Sequence, residues 1–407
     1  MAGQILYWGD PPTISTGFGV VARHVLGGLR TAGYEIDCLA TNSVADFPNA
    51  AEFPYRIVPA GGTAQDPFGA RTFVRILASA RRYDLVLVQN DLQVAHATSA
   101  YVRSLQERGQ PMPPIVYYFP VDCAVRRDLG TMIEVADVAV TCTNFGRGEV
   151  HRTFPDRDCL VIPHGVDGRA FRPLAERAAV RDRFRHELGA PPDARIVCSV
   201  ATNCLRKDLA RTMAAFAAAR ARHPEWPPSV LYLHTVPMSN GVDLKAAADA
   251  CGLTVGRDIA FPKDYHPLQG VPDAALNEIY NASDVYLTTT LGEGWGLPVT
   301  EAMAAGLPVV APRHTAIADH GSDGRAILYD CRERVWIDNS GFRPLGRLED
   351  IVVALAIAMS QPVEEARRMT EAARAYTAAL DWSAVVPRWV ALVSDLIARR
   401  GAVGRPS

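Results

Sequence analysis

The sequence lacks an excess of charge of either sign, because 42 basic residues are balanced by 44 acidic ones and the formal net charge is −2. Proteins that bind nucleic acid or anionic membranes through their overall field carry a strong positive excess. That class is therefore excluded for the chain as a whole, and only a local basic patch stays open. Its candidates, which we expect to be scattered and solvated instead, are Arg71, Arg75, Arg81, Arg82, Arg126 and Arg127.

Paired cysteines and long apolar runs are also missing. The eight cysteines include no CxxC pair, so neither a disulfide framework nor a zinc site is indicated. The apolar run 351–359 is too short to span a bilayer. The first ten residues, MAGQILYWGD, have neither the basic region nor the apolar run of a secretory signal. We therefore expect a cytoplasmic protein with reduced thiols, for which a peripheral membrane contact stays open.

What is present is an alternation of short apolar runs with longer amphipathic stretches, which occurs in both halves of the chain. This pattern is typical of parallel strands joined by helices in an open α/β sheet. The turn-rich segment 163–174, PHGVDGRAFRPL, separates the two halves. We predict an N-terminal domain at 1–165, a second domain at 166–380 and a C-terminal helical segment at 381–407.

The predicted elements follow the apolar periodicity. The predicted strands are 4–8, 35–40, 85–89, 115–119, 138–142 and 159–162 in the first half, and 195–200, 230–234, 284–289 and 308–310 in the second. The predicted helices include 19–32, 72–80, 209–222, 274–281, 298–305, 348–359, 362–379 and 382–399, the last interrupted by Pro387.

The most informative segment is 291–312, LGEGWGLPVTEAMAAGLPVVAP, which follows a predicted strand and enters a predicted helix. Its glycines allow backbone N–H groups to approach a ligand, and a helix that starts at Pro298 offers further N–H groups to a diphosphate. Glu293 precedes this helix, and Glu301 is expected in its first turn. Ionised carboxylates accept hydrogen bonds from vicinal hydroxyls, so the segment fits a nucleotide sugar. A capped helix with an early glutamate is the alternative, and it explains Glu301 alone.

The segment 293–310 closely resembles the donor-site motif of the retaining glycosyltransferases of family four, in which seven residues separate two glutamates, here Glu293 and Glu301. VIPHGVD at 161–167 and LDWSAVVPRWVALV at 380–393 are similar to the family's interdomain segment and C-terminal helix. The resemblance implies the GT-B architecture. In that architecture two Rossmann-like domains face each other across a cleft, and the C-terminal helix crosses back to the N-terminal domain.

The resemblance also implies residue roles on the donor side. Glu293 would contact the transferred sugar, and Glu301 would hold the ribose. The backbone of Gly294, Trp295, Gly296 and Leu297 would face the diphosphate.

Two cations, Arg206 and Lys207, follow the first predicted strand of the second domain and would neutralise a departing diphosphate. A solvated basic helix start is the alternative for this pair. His234 and Lys263 end or follow strands and are expected near the nucleobase. Asp122 follows a central strand of the first domain, where family members often carry a histidine, and is expected to take a polar catalytic role unless it only caps a turn.

The best rival pattern is GFGVVA, which fits the dinucleotide-binding pattern GxGxxA, with Asp37 twenty residues after Gly17. In a dinucleotide site the glycines directly follow the strand, whereas here the segment 10–16 intervenes. The family resemblance assigns Gly17 and Gly19 to a glycine loop over the donor diphosphate, and a plain helix N-terminus is the alternative. His164 is expected to make a hinge hydrogen bond.

The sequence therefore predicts a retaining glycosyltransferase that moves a hexosyl group from a UDP-glucose or GDP-mannose type of donor to an acceptor hydroxyl. No metal and no cofactor are expected, because Asp156-Arg157-Asp158 looks like a surface turn and no cluster of His, Asp and Cys is apparent. The acceptor stays open among a sugar, a lipid-linked sugar, a small metabolite, a protein and a modified nucleic acid. An NAD-dependent oxidoreductase and a non-catalytic nucleotide-sugar-binding protein are the alternative functions.

Overall fold

A computed structural model describes residues 3–42, 50–61, 66–79, 83–239, 242–337 and 341–403. The chain divides into two compact units. Unit 1 comprises Met1–Gly165 and Trp382–Ser407, and unit 2 comprises Val166–Asp381. The first boundary falls in the turn-rich segment, and the second lies directly before the last helix.

Unit 1 is built on a seven-stranded parallel sheet in the order β3-β2-β1-β4-β5-β6-β7. Its central strands are buried along their whole length, which explains their continuous apolar runs. The strands are β1 (Gln4–Gly9), β2 (Glu35–Ala40), β3 (Arg56–Pro59), β4 (Leu85–Gln89), β5 (Ile115–Phe119), β6 (Val138–Thr141) and β7 (Cys159–Val161). The helices before the boundary are α1 (Gly17–Thr31), α2 (Ala70–Ala78), α3 (Leu92–Glu107), α4 (Thr131–Val135) and α5 (Asn144–Thr153).

Unit 2 is built on a six-stranded parallel sheet in the order β10-β9-β8-β11-β12-β13, and β14 and β15 form a separate antiparallel hairpin. The strands are β8 (Arg195–Val200), β9 (Ser229–His234), β10 (Ile259–Ala260), β11 (Val285–Leu287), β12 (Val309–Pro312), β13 (Ile327–Tyr329), β14 (Glu333–Ile337) and β15 (Gly341–Leu345). The helices are α6 (Arg177–Glu187), α7 (Leu209–Arg222), α8 (Leu244–Ala250), α9 (Asp273–Ala282), α10 (Leu297–Ala304), α11 (Thr315–Gly321), α12 (Leu348–Ser360) and α13 (Val363–Ala378).

The two parallel sheets with their crossover helices confirm the predicted α/β class and the two Rossmann-like domains. In each sheet the strand order reverses once, between β1 and β4 in unit 1 and between β8 and β11 in unit 2. Loops at the carboxyl ends of strands on either side of such a reversal form the usual ligand crevice of open α/β sheets. The reversal in unit 2 therefore selects the loops after β8 and β11 as the place to look for a site.

The last helix, α14 (Trp382–Val403), belongs to unit 1, where it packs on α1. Trp382 stacks on His24 with ring centroids 4.5 Å apart, and Trp389 is fully buried. The predicted interruption at Pro387 is wrong, because the helix continues through it. Proline near a helix start removes only one main-chain hydrogen bond, and the burial of both tryptophans stabilises the continuous helix.

Some boundaries differ from the sequence prediction for local reasons. The strand β3 was missed because it is short and its residues are exposed or half-buried, so no apolar run marks it. The predicted end of one helix, Ala80, lies outside the described residues. Within the part of the chain that the structure describes, no helix is both long and apolar enough to cross a membrane.

We expect neighbouring glycines of α1 to respond oppositely to alanine. A Cβ atom at Gly28 would overlap Val386 Cγ1 of α14, whereas a Cβ atom at Gly27 meets nothing within 4 Å. Gly28→Ala should lower the free energy of unfolding by about 1–3 kcal/mol, because the branched valine cannot swing away without strain. Gly27→Ala, the matched control, should raise it by about 0.5–1 kcal/mol. Urea unfolding of both variants measures these changes, and equal effects would contradict the described packing.

Candidate functional site

The candidate site is built from the loops that follow β8 and β11 in unit 2. The loop after β11 runs into α10, and Gly296 lies between them with φ of +90°. This left-handed conformation is readily available only to glycine and turns the chain sharply into the helix. The predicted helix start is corrected by one residue, because Leu297 is the first helical residue and Pro298 the second. Glu301 consequently lies beyond the first turn, and the interpretation of this residue as a helix-dipole partner is weakened.

Glu293 is the electrostatic centre of this region. Its carboxylate, only 7% exposed, accepts a hydrogen bond from Lys207 Nζ at 2.5 Å and one from Arg206 Nη1 at 3.2 Å. Arg206 also donates to the carbonyl of Gly292. Burial by itself would raise the pKa of Glu293, but Lys207 and Arg206 hold it at about 2. The structure thus joins the predicted acid and the two predicted cations in one ion-paired cluster, which the sequence did not predict.

Glu301 lies in the opposite kind of environment. Its carboxyl group is buried and accepts a hydrogen bond from the Tyr280 hydroxyl at 2.9 Å. Burial raises the pKa of Glu301 to about 7, against the lowering effect of Tyr280. The two glutamates, one before α10 and one within it, therefore have pKa values on opposite sides of the ordinary value. Such a difference is common where two acids have separate roles.

The glycine loop between the two acids is fixed by a histidine that sequence reasoning missed. His320 Nε2 lies 2.8 Å from the carbonyl oxygen of Trp295, and its Nδ1 lies 2.9 Å from the Tyr376 hydroxyl. A carbonyl only accepts, so Nε2 carries the proton and Nδ1 accepts from the tyrosine. Burial lowers the pKa of His320 to about 4, so the ring is neutral. It lies in α11, a short helix that was not predicted from the sequence.

The two residues predicted near the nucleobase follow strands of the same sheet. His234 ends β9, is buried, and makes an edge-on ring contact with Tyr265 at 4.7 Å. Burial lowers the pKa of His234 to about 4. Lys263 is exposed and follows β10. Both therefore lie at the carboxyl ends of parallel strands, the edge of the sheet from which the Glu293 loop also emerges.

In unit 1 the glycine-rich segment begins α1. Thr16 caps the helix by accepting from the Gly19 N–H at 3.0 Å, and its hydroxyl donates to the buried carboxylate of Asp10 at 2.6 Å. A Cβ atom at Gly19 would overlap the carbonyl oxygen of Ile14, so this glycine is needed for packing of the loop. Gly17 is exposed at the first helical position.

Asp37 is unsuited to the dinucleotide-binding role. It is the third residue of β2, and its buried carboxylate accepts from Arg56 Nε at 2.9 Å and from the Tyr83 hydroxyl at 2.8 Å. Ligands of open α/β sheets bind beyond the carboxyl ends of the strands, not beside their middle. The geometry therefore removes the acidic residue from the dinucleotide interpretation.

The remaining predicted residues are placed as follows. Asp122 is half-exposed and follows the carboxyl end of β5. His164 is buried, with its ring edge-on to Tyr118 at 5.7 Å.

Asp156 and Asp158 are exposed. Exposed arginines that were candidates for a patch are Arg71, Arg75, Arg126 and Arg127, whereas Arg81 and Arg82 lie outside the described residues. Among the residues that the structure describes, no group of three His, Cys, Asp or Glu could hold a metal ion.

The pKa of Glu301 predicts a distinctive pH dependence of stability. The pKa of about 7 in the folded state lies above the ordinary value of 4.5. The contribution of Glu301 to the free energy of unfolding is therefore complete below pH 4.5 and is lost as the pH rises through 7. At 1.36 kcal/mol per pH unit the loss is on the order of 3 kcal/mol. Between pH 5 and pH 8 the free energy of unfolding of the wild type, measured with urea, should fall by this amount relative to that of Glu301→Gln, in which the other titrating groups are unchanged. The control Glu365→Gln, at an exposed site, should follow the wild type, and an unchanged slope in Glu301→Gln would contradict the assignment.

Comparison with known proteins adds an independent result. Residues 252–335, which include Glu293, Glu301 and the glycine loop, match the family model described as "Glycosyl transferases group 1". A D-inositol 3-phosphate glycosyltransferase from Corynebacterium urealyticum is 28% identical over 218 residues, 52% of this chain and 49% of that protein. The chain thus aligns with about half the length of this relative.

Solved structures match over nearly the whole chain. The sucrose-phosphate synthase of Thermosynechococcus elongatus has a TM-score of 0.72 at 18% identity, covering 97% of this chain and 99% of that one. Anabaena Alr3699/HepE, solved in complex with UDP-glucose, has a TM-score of 0.67 at 15% identity, with coverage of 98% and 100%. These likenesses concern the fold. The chain therefore has a GT-B-like α/β fold, and its residues 252–335 match the family model of the glycosyl transferases group 1.

Proposed function

We propose that this protein is a retaining glycosyltransferase that moves a hexosyl group from a nucleotide diphosphate sugar to an acceptor hydroxyl. The observation that carries the proposal is the buried, ionised Glu293 between Lys207 and Arg206, next to the glycine loop that enters α10. An anionic leaving group and a polyhydroxylated sugar need this combination of cations, backbone N–H groups and an acceptor carboxylate. The family match over the same segment supports it.

In the proposed donor complex the diphosphate lies at the amino end of α10, against the backbone of Gly294, Trp295, Gly296 and Leu297. The positive dipole end of a helix start favours such an anion. His320 keeps the loop in place through the Trp295 carbonyl. Glu301 accepts from the ribose hydroxyls, and His234 with Lys263 lies towards the nucleobase.

The proposed chemistry follows from charge development at the anomeric bond. As this bond breaks, negative charge grows on the departing phosphate, and Arg206, Lys207 and the backbone N–H groups stabilise it. Glu293 has a pKa of about 2, so it is a weak base and a weak nucleophile. We therefore favour attack of the acceptor on the face that the phosphate leaves, with the phosphate oxygen taking the acceptor proton, which retains the anomeric configuration.

In this proposal the leaving phosphate is neutralised by side chains and backbone, so neither a metal ion nor a cofactor is required. The roles predicted for Gly17, Gly19 and Asp122 in donor and acceptor binding stay predictions. UDP-glucose is the first donor to test, because the similar Anabaena structure contains it, and GDP-mannose is the second. The acceptor stays open among the classes above. A phosphorylated polyol is the first acceptor to test, because the Corynebacterium relative is named for one.

Calorimetric titration with UDP, GDP and NAD tests the donor class. We expect UDP or GDP to bind and NAD to show no heat of binding. Binding of NAD alone would overturn the proposal in favour of an oxidoreductase. Mass spectrometry of products from a donor-by-acceptor screen then tests catalysis, and tight binding without transfer to any acceptor would indicate a non-catalytic binding protein.

Substitution of the central carboxylate tests the site. Glu293→Gln keeps the side-chain shape but removes the charge that Lys207 and Arg206 hold, so we expect kcat to fall by about 100-fold or more. Glu278→Gln is the matched control, because Glu278 pairs with Arg183 on the surface, and its kcat should equal that of the wild type. Circular dichroism of both variants should match the wild type. Full activity of Glu293→Gln would contradict the site assignment.

A further inference from the structure

Thr315 has an unusual backbone conformation next to the proposed site. It is buried, at 6% exposure, and has φ of +49°, in the left-handed region that glycine adopts freely. A β-branched side chain in this region is strained, and such strain persists only where the surrounding structure enforces it. The strained residue is the first of α11, in the loop that follows β12.

The hydrogen bonds made by Thr315 and its neighbour explain this conformation. Its Oγ1 accepts a hydrogen bond from the backbone N–H of Glu293 at 3.0 Å. The next residue, Ala316, donates its N–H to the carbonyl oxygen of Glu293 at 3.3 Å. Both polar backbone groups of Glu293 are thus held by two consecutive residues. The left-handed turn at Thr315 brings the hydroxyl and the following N–H to the same partner.

His314 orients the hydroxyl of Thr315. Its Nε2 lies 3.1 Å from the carbonyl oxygen of Thr290, and its Nδ1 lies 3.2 Å from Thr315 Oγ1. Burial lowers the pKa of His314 to about 4, so the ring is neutral and carries one proton. Because the Thr290 carbonyl can only accept, that proton is on Nε2, and Nδ1 accepts the proton of the threonine hydroxyl. A lone pair of Oγ1 is then directed at the Glu293 N–H.

Glu293 is therefore held at two independent places. Lys207 and Arg206 hold its carboxylate, and the hydroxyl of Thr315 with the N–H of Ala316 holds its backbone. A glycine at position 315 would adopt the same φ without strain but would leave the buried N–H of Glu293 without this acceptor. The strain is thus coupled to a hydrogen bond that only a hydroxyl-bearing residue supplies.

We propose that Thr315, with its hydroxyl oriented by His314, is a positioning residue that fixes the backbone of Glu293 for glycosyl transfer. This inference rests on the proposed function of Glu293. In this inference neither Thr315 nor His314 touches the reacting atoms. They act through Glu293, by restricting where its carboxylate lies relative to the sugar and the leaving phosphate.

Hydrogen–deuterium exchange tests the hydrogen bond without reference to activity. The variants are Thr315→Ser, which keeps the hydroxyl, Thr315→Val, which keeps the branched shape without it, and Thr315→Gly, which relieves the strain without it. We expect faster exchange in peptides covering 292–294 for the valine and glycine variants, and wild-type exchange for the serine variant. Wild-type exchange in all three would overturn the proposal.

Steady-state kinetics with the nucleotide sugar that the wild type uses tests the positioning role. We expect kcat to fall about 10- to 100-fold in Thr315→Val and Thr315→Gly, with the donor KM changed less than threefold, because a misplaced group slows chemistry more than binding. Thr315→Ser should restore kcat to within about twofold of the wild type. A purely structural role predicts that activity follows the melting temperature, so full activity in the relaxed glycine variant, or no rescue by serine, would overturn the proposal.

The two experiments separate the failure of this inference from the failure of the proposed function. If the wild type transfers no sugar to any acceptor, the proposed function fails, and the exchange measurement still decides whether Thr315 holds Glu293. If the wild type is active and the valine and glycine variants keep its kcat, the positioning role alone is refuted.

Discussion

The ion pairs of Glu293 with Lys207 and Arg206 are the interaction on which the rest of this site depends. A carboxylate buried as deeply as Glu293 would carry a large desolvation penalty without cations, and two partly buried cations would be equally unfavourable without it. The parallel sheet makes the pairing available, because the loops after the adjacent strands β8 and β11 leave the sheet at the same edge. The acid and its partners are far apart in the sequence, and the order of the strands in the sheet brings them together.

Once the charge of Glu293 is fixed in this way, the difference between the two glutamates of the motif has a simple cause. Glu293 faces two cations and stays ionised. Glu301 is buried and accepts a hydrogen bond from the Tyr280 hydroxyl, and burial raises its pKa towards neutrality. Identical side chains eight positions apart are thus given different properties by the groups that pack against them. This separation suits a site in which one acid works beside transferring charge and the other binds neutral hydroxyls.

Two residues with left-handed backbone conformation lie in the loops near these acids, and they differ in the strain that this conformation causes. Gly296, with φ of +90°, has no Cβ and turns the chain into α10 without strain. Thr315, with φ of +49°, keeps a branched side chain in the same region of conformational space. Its hydroxyl contacts the backbone of Glu293, so the strained residue and the relaxed one both serve the same short segment.

The sequence by itself determined the α/β class and elements such as β8 and α7, because buried parallel strands and amphipathic helices leave regular apolar patterns. From residue type and spacing it also identified Glu293, Glu301, Arg206 and Lys207 as candidate site residues. Only the tertiary structure decided that α14 continues through Pro387, that Asp37 is engaged inside a strand, and that His314, His320 and Thr315 support the site. These depend on contacts between residues far apart in the chain and on burial. Neither of these leaves a local pattern in the order of amino acids.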